Sequence, residues 1–267
     1  MRACLAFFRM RLVNGLQYRT AAYAGIFTQF FWGFMEIQLY GAFYRENPEN
    51  FPMEFSHLVS YIWLRQAFLR LLDTWSAEQE LFDMILNGNV AYELCRPASL
   101  YGMWFARHAA LRLSAVALRC WPILLVAALL PEPWGLRLPP SAGAFAASVL
   151  SLALALGVAT AFVLIVYFSC FFTLSSEGTR AVLMPLVGLL AGELIPLPFM
   201  PDGLAKALGY LPFAAITNAP LRVYSGDLAG AAAAEAILLQ AFWLAALALI
   251  GWRMQRRGMR RLCVQGG

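Results

Sequence analysis

A chain of 267 residues with 61% hydrophobic side chains, 13% charged ones and a mean hydropathy of +0.64 cannot cover itself with polar surface, because soluble domains carry charge on about a quarter of their residues. The length divides better among membrane spans, each needing about 20 apolar residues to cross roughly 30 Å of hydrocarbon. The net charge of +5 does not signal nucleic acid: the arginines flank apolar runs, and no basic stripe interleaved with aromatics occurs.

Leu5, Phe8, Leu12 and Leu16 recur at helical spacing with arginines between them. This predicts an amphipathic helix over residues 1–19 lying in the membrane interface. Arg2, Arg9, Arg11 and Arg19 interrupt any long apolar core there, so a cleavable signal is not expected. The first span covers residues 21–44, an acidic Pro-containing loop covers 45–54, and the second span covers 55–72. The longest polar stretch, 73–99, precedes a third span over 101–130. Thirty residues of helix are about 45 Å long, so the first turns of this span, with Arg107 and Arg112, are expected in the polar interface.

The fourth span lies within 142–174, the fifth starts near 181 and breaks up around Pro196 and Pro198, and the sixth covers 231–252. Pro196, Pro198, Pro201, Pro212 and Pro220 cannot belong to one straight span. Broken backbone at membrane depth must be buried in protein or line a cavity. The N-terminal arginines, Arg70, Arg96, Arg107, Arg180 and the arginines of the tail fall on one side, against Arg45, Arg137, Lys206 and Arg222 on the other. Basic flanks mark the cytoplasmic side, so both termini are expected there, which an even number of spans requires. Cys4, Cys95, Cys120, Cys170 and Cys263 are scattered, and free thiols are expected.

Ionisable residues inside spans are expensive and usually face a bundle interior or an aqueous cavity. Glu36 and Arg65 lie roughly 12 and 15 Å from the outer ends of the first two spans, at 1.5 Å per residue. Antiparallel neighbours would present them at one level, and a structural pair is favoured over a substrate contact. His108, Arg112 and Arg119 fall within about 60° of one another on the third span. They would form a basic face leading from the cytoplasm, suited to an anionic substrate or lipid headgroup. For Arg112 the favoured reading is snorkelling to the interface, whereas Arg119 lies deeper. Glu193 either lines a translocation path or caps a broken helix.

The chain has no nucleotide site of its own. A P-loop ends in Gly-Lys-Ser/Thr, and the only lysine, Lys206, is followed by alanine. With His57 and His108 the only histidines, no HExxH zinc site exists, and no Gly-x-Ser-x-Gly elbow occurs.

Residues 83–97 read Asp-Met-Ile-Leu-Asn-Gly-Asn-Val-Ala-Tyr-Glu-Leu-Cys-Arg-Pro. The segment alternates apolar and polar residues, turns at Asn87-Gly88-Asn89, and offers Tyr92, Glu93 and Arg96 for docking in a protein groove. It resembles the cytoplasmic coupling region of type-2 ATP-binding-cassette (ABC) permeases, above all a subgroup with a Gly-Asn-Val-Ala-Tyr-Glu-Leu-x-Arg-Pro stretch. Gly192, residues 195–198, Pro201, Leu211-Pro212-Phe213 and Tyr224-Ser225-Gly226 resemble the Pro-rich region after that family's fifth span. The terminal Gln265-Gly266-Gly267 fits the same subgroup, while Glu193 departs from the apolar or small residue that would be unremarkable there.

The resemblance implies an all-α membrane protein forming one permease domain over 1–267. Its six transmembrane helices would be joined by the interfacial helix over 1–19, the coupling region over 73–99 and outer re-entrant helices over 192–228. It implies coupling through Asp83, Ile85, Gly88, Asn89, Ala91, Tyr92, Glu93, Arg96 and Pro97. The implied partners are a cytoplasmic ATPase dimer, which would hold ATP and Mg, and a second permease, in a heterodimer rather than a homodimer. The expected function is export across a bacterial inner membrane, with no catalysis by this chain. Glu36, Arg65, Arg119 and Glu193 are the candidates for a translocation path or an intramembrane ion pair. Family substrates include drugs, lipids, glycans and peptides, and the aromatic-rich first span favours something amphipathic or hydrophobic. A secondary transporter or channel independent of ATP would need no docking surface, and a membrane-embedded enzyme would need converging catalytic groups.

Overall fold

Long apolar runs become long helices, one of them running through Pro122, and the proline-rich stretch becomes short ones. The computed structural model describes residues 2–17, 19–96, 98–173, 177–193 and 195–260, with backbone only at 2, 19–21, 50, 179, 180 and 184. Among these residues every regular element is helical. Helix α1 is Arg2–Gly15 and α2 is Arg19–Glu46, followed by α3, Phe55–Ala67, and α4, Leu69–Leu72. Two short helices, α5 (Gln79–Leu86) and α6 (Val90–Leu94), precede α7 (Leu100–Leu129) and α8 (Ala142–Thr173). Then come α9 (Glu177–Leu190), α10 (Asp202–Gly209), α11 (Asn218–Ser225) and α12 (Gly230–Met259).

Among the described residues, three helices are long and apolar enough to cross a membrane: α7, α8 and α12, of 30, 32 and 30 residues. Helix α2 has 28 residues but carries Gln29, Glu36 and Gln38 along its length. The expected second span is broken at Phe68 (φ −101°, ψ 11°), which ends α3 after 13 residues and starts the four-residue α4. Helix α9 has only 14 residues. A count of six spans therefore needs α2, α3 with α4, and α9 as additional crossings.

Helix α8 is the axis of the bundle, with Ala155, Val158, Ala159, Val163, Leu164, Val166, Tyr167 and Phe168 fully buried. Helix α12 lies along it on a seam of small residues, the usual way helices approach closely in a bilayer. A Cβ on Gly157 would meet Leu244 at 2.9 Å, and one on Gly258 would meet Phe171 at 2.6 Å. Gln240, wholly buried in α12, donates to the carbonyls of Ser151 (3.1 Å) and Ala215 (2.8 Å) and accepts from the Ser151 hydroxyl at 2.7 Å. One side chain thus ties α12, α8 and the segment before α11 together, with each polar atom satisfied.

Helix α1 packs along α7, where a Cβ on Gly15 would collide with the Ser114 side chain. The face it turns inward includes Cys4, Phe8, Leu12 and Leu16, whereas Leu5 is 69% exposed. The expected apolar stripe is therefore corrected at its first member: Leu5 points away from the bundle and Cys4 packs in its place. At the opposite end an aromatic cluster joins α2, α3 and the broken region, with Tyr40–Phe199 at 4.8 Å and Tyr44–Phe55 at 5.1 Å between ring centres. Trp63 donates to the Trp134 carbonyl at 2.8 Å, fixing the α7–α8 loop to α3.

After α9 the chain makes a 3₁₀ turn at Leu197–Phe199, then the eight-residue α10 and α11. Gly192 and Gly226 take φ of 79° and 82°, a left-handed conformation that suits glycine. Gly226 terminates α11 in the manner of a C-cap glycine. Among the described residues, Cys4, Cys95, Cys120 and Cys170 form no disulfide. Cys263 and the terminal Gln265-Gly266-Gly267 lie outside the described residues, as do Pro97 and Arg261.

Candidate functional site

Two features carry chemistry, a helical hairpin over residues 79–94 and a large groove along α2. In the hairpin, α5 buries Leu81, Phe82 and Ile85, and α6 buries Val90. Gly88 reverses the chain between them with φ 71°, a value that costs other residues strain. The opposite face stays in solvent: Tyr92 is 76% exposed, and Asp83, Asn89 and Arg96 are exposed too. Gly88, Ala91 and Glu93 are half-buried, and Arg96 Nη1 lies 3.2 Å from Glu93 Oε1. Ile85, at 6% exposure, belongs to the core under the hairpin rather than to its exposed face.

The inner side of the hairpin is bolted to the bundle by polar contacts. Arg107 of α7 forks onto Glu78, with Nε 3.0 Å from Oε1 and Nη2 2.7 Å from Oε2. The same guanidinium donates to Glu80, which holds that carboxyl below the usual carboxylate range. The Glu78 backbone N–H donates to the Tyr167 hydroxyl at 2.6 Å, and the Phe82 ring packs on Tyr167 at 4.7 Å. Before the hairpin, the wholly buried Asp73 receives Arg70 at 3.0 Å and the Ser76 hydroxyl at 2.7 Å. Arg112 donates to the Leu71 carbonyl at 2.8 Å and lies 3.6 Å from Asp73.

Arg112 therefore does not snorkel to the interface. At 3% exposure it is a buried crosslink between α7 and the end of α4, because its length reaches the free carbonyl of Leu71 and the Asp73 carboxylate first. His108 is likewise buried, at 2% exposure, with its ring against Tyr167. Glu78, Glu80 and Asp73 were not singled out by sequence reasoning. Their signal was present: three acids in an eight-residue polar stretch, which meet Arg107 and Arg112 of α7.

The groove, of about 1280 Å³, runs between α2, α3 and α4. It brings together Glu36, Arg65, Arg119 and Glu193 with Gln29, Gln66, Arg70 and Trp75. Arg65 Nη2 bonds Glu36 Oε2, and Arg65 Nη1 bonds the Glu193 carbonyl. The helices meet closely here because α2 has glycines: a Cβ on Gly33 would lie 3.1 Å from Trp63, and one on Gly25 would lie 3.0 Å from Arg119 Nε. Trp32, Met35 and Leu39 of α2 give the groove an apolar, exposed wall. No group of three His, Cys, Asp or Glu side chains placed to hold a metal occurs among the described residues.

The family model described as ABC-2 family transporter protein matches residues 58–266. No curated protein matches the chain.

Proposed function

The chain belongs to the ABC-2 family of transporter proteins, and from that premise we propose that it is an export permease driven by ATP hydrolysis on a separate subunit. It is a multi-pass membrane subunit of an ABC transporter. The observation that carries the proposal is the two-sided hairpin. Its outer face presents Tyr92, Asn89 and Arg96, and its inner face is fixed by Arg107 to Glu78 and Glu80. A helix pair that is rigidly tied on one side and unpartnered on the other suits a lever pushed by a docked protein.

In this reading ATP and Mg bind a cytoplasmic ATPase dimer, whose closure pushes on α5 and α6. The push enters α7 through Arg107 and reaches α4 through Arg112 and Asp73. From there it arrives at Arg70, which lines the groove. A second permease completes the translocation path, in a heterodimer rather than a homodimer. Six crossings, with α2, α3–α4 and α9 joining the three longer spans, place both termini and the hairpin in the cytoplasm of a bacterial inner membrane. The segment after α9 folds back on the outer side as a re-entrant region.

The test is ATP hydrolysis by the complex purified with its ATPase. Tyr92→Ala and Arg96→Ala are expected to lower transport-coupled hydrolysis at least tenfold while leaving the melting temperature unchanged, since both side chains are exposed. Hydrolysis and assembly indifferent to both substitutions would refute coupling through this face, and a complex without any ATPase would favour the ATP-independent transporter.

A further inference from the structure

Helix α12 has two faces that keep their character along its length. Ala233, Gln240, Leu247, Gly251 and Gly258 are buried against the bundle, and a Cβ on Gly251 would meet the Tyr101 ring at 3.0 Å. On the other side Leu238, Phe242 and Leu249 are 70%, 60% and 45% exposed. That face continues into Arg253, Arg256, Arg257 and Arg260, all of them exposed. At 3.6 residues per turn the four arginines lie within about 100° of one another, in the sector that Leu238, Phe242 and Leu249 occupy. We propose that this stripe is a binding site for an anionic phospholipid of the cytoplasmic leaflet, with the acyl chains along Leu238, Phe242 and Leu249 and the phosphate among the four arginines.

Charge supports the assignment. Arginines elsewhere in the chain meet carboxylates: Arg65 meets Glu36, Arg107 meets Glu78 and Glu80, and Arg222 meets Asp227. A second cavity, of about 480 Å³, joins the groove at Arg70, Trp75 and Arg119, and there Arg70 and Arg112 share Asp73. Among the described residues none of the four arginines of α12 has an ion pair with a carboxylate. Residues 236–267 contain no Asp or Glu at all. Four guanidiniums on one face, each a planar fork suited to phosphate oxygens, are thus left for an anion from outside the chain.

The lengths agree with a lipid. Leu238 to Leu249 rises about 16 Å, close to the roughly 15 Å of hydrocarbon in one leaflet. Arg253 to Arg260 rises about 10 Å more, where long cationic side chains reach the head groups. Arg256 lies over the Trp252 ring at 4.2 Å, and tryptophan prefers the head-group level of a bilayer. Because Gly258 still packs on Phe171, α12 stays docked to the bundle past its first three arginines, which holds them in place. An acidic protein surface would match the arginines but not the apolar stripe that leads to them. A lipid matches both.

The inference goes beyond the transport reading and rests on it only for which leaflet the site faces. It is tested on the full chain without ATPase, so failure of ATP coupling would leave it standing. The chain, purified in a neutral detergent, is titrated with phosphatidylglycerol or phosphatidylcholine of identical acyl chains, and bound lipid is counted by native mass spectrometry. Phosphatidylglycerol should bind in preference. Arg256→Gln combined with Arg257→Gln should weaken its binding about 25-fold, at about fivefold for each arginine near an anionic surface, and the corresponding Lys pair should retain it. Arg9→Gln, on the exposed face of α1, should change nothing. Equal binding of the two lipids by the unmodified chain would overturn the proposal, as would an undiminished preference in the double Gln variant. An equal loss in Arg9→Gln would overturn the localised site in favour of diffuse attraction to a basic surface. A preference shown by the chain alone but lost in the complex with its associated subunits would assign the arginines to a protein partner and overturn the lipid assignment.

Discussion

Arg65 does the most connected work of any residue in the groove. Its guanidinium reaches Glu36 on α2 and the backbone carbonyl of Glu193 beyond α9, so one side chain joins three segments far apart in sequence. Removing one partner of a buried ion pair costs more than the pair contributes, because the other charge is left without compensation. Arg65→Gln is expected to lose about 3 kcal/mol of stability, read as denaturant or thermal unfolding in detergent. Glu36→Gln should lose less, since Arg65 keeps the Glu193 carbonyl. The double variant should be less damaging than the sum of the two, and strict additivity would show that the contact carries no coupling. The level of this pair could be counted from 1.5 Å per residue along two antiparallel helices, whereas the Glu193 carbonyl could not. Its position depends on how the chain turns after α9, with Gly192 at φ 79°, and no periodicity encodes that turn. Arg112 went the other way for a related reason: a long cationic side chain looks able to reach the interface, but the tertiary fold sets a carbonyl and a carboxylate nearer.

Helices α5 and α6 are too short to be stable alone, since isolated helices under about 12 residues are marginal in water. They hold their shape through Leu81, Phe82, Ile85 and Val90 in the core and through Arg107 on Glu78 and Glu80. Because the Glu80 carboxyl is held below its ordinary value of 4.5 by the hydrogen bond from Arg107, the folded state binds fewer protons than the unfolded one. The stabilisation is complete well above that value and is lost as pH falls through the ordinary carboxylate range to Glu80's own lower value. Glu80 is 63% exposed, so screening limits the effect to at most ~1 kcal/mol. Glu80→Gln should therefore melt earlier than the unmodified chain at pH 7, and the two melting curves should converge toward pH 4. Curves that stay equally far apart at both pH values would refute the Glu80–Arg107 contribution. The hairpin itself was legible as a turn at Asn87-Gly88-Asn89 flanked by alternating residues, because turn chemistry is local. The partition of its residues was not: Ile85 faces the core and Tyr92 faces out, and only the position of α8 beneath decides which side is which.

At the scale of the whole molecule, orientation makes a prediction that any span count must meet. Cys95 directly follows the hairpin and is exposed, while Leu138, in the loop between α7 and α8, is 85% exposed at the opposite end of α7. In intact cells a membrane-impermeant maleimide should label Leu138→Cys in a chain otherwise free of cysteine, and should label Cys95 only after the membrane is opened. Labelling of both from outside, or the reverse pattern, would overturn the proposed topology. The sequence by itself determined that this chain is a helical membrane protein with no P-loop, that its proline-rich stretch breaks into pieces, and where α7 and α8 begin and end. These properties follow from composition, periodicity and backbone chemistry, all of which act over a few residues. Only the tertiary structure decided that Phe68 divides the second apolar run, that Asp73, Glu78 and Glu80 meet the arginines of α7, and that Arg119 and Arg70 stand where two cavities join. Those contacts link residues dozens of positions apart, and they depend on helix rotation and crossing, which side-chain packing sets and no local pattern records.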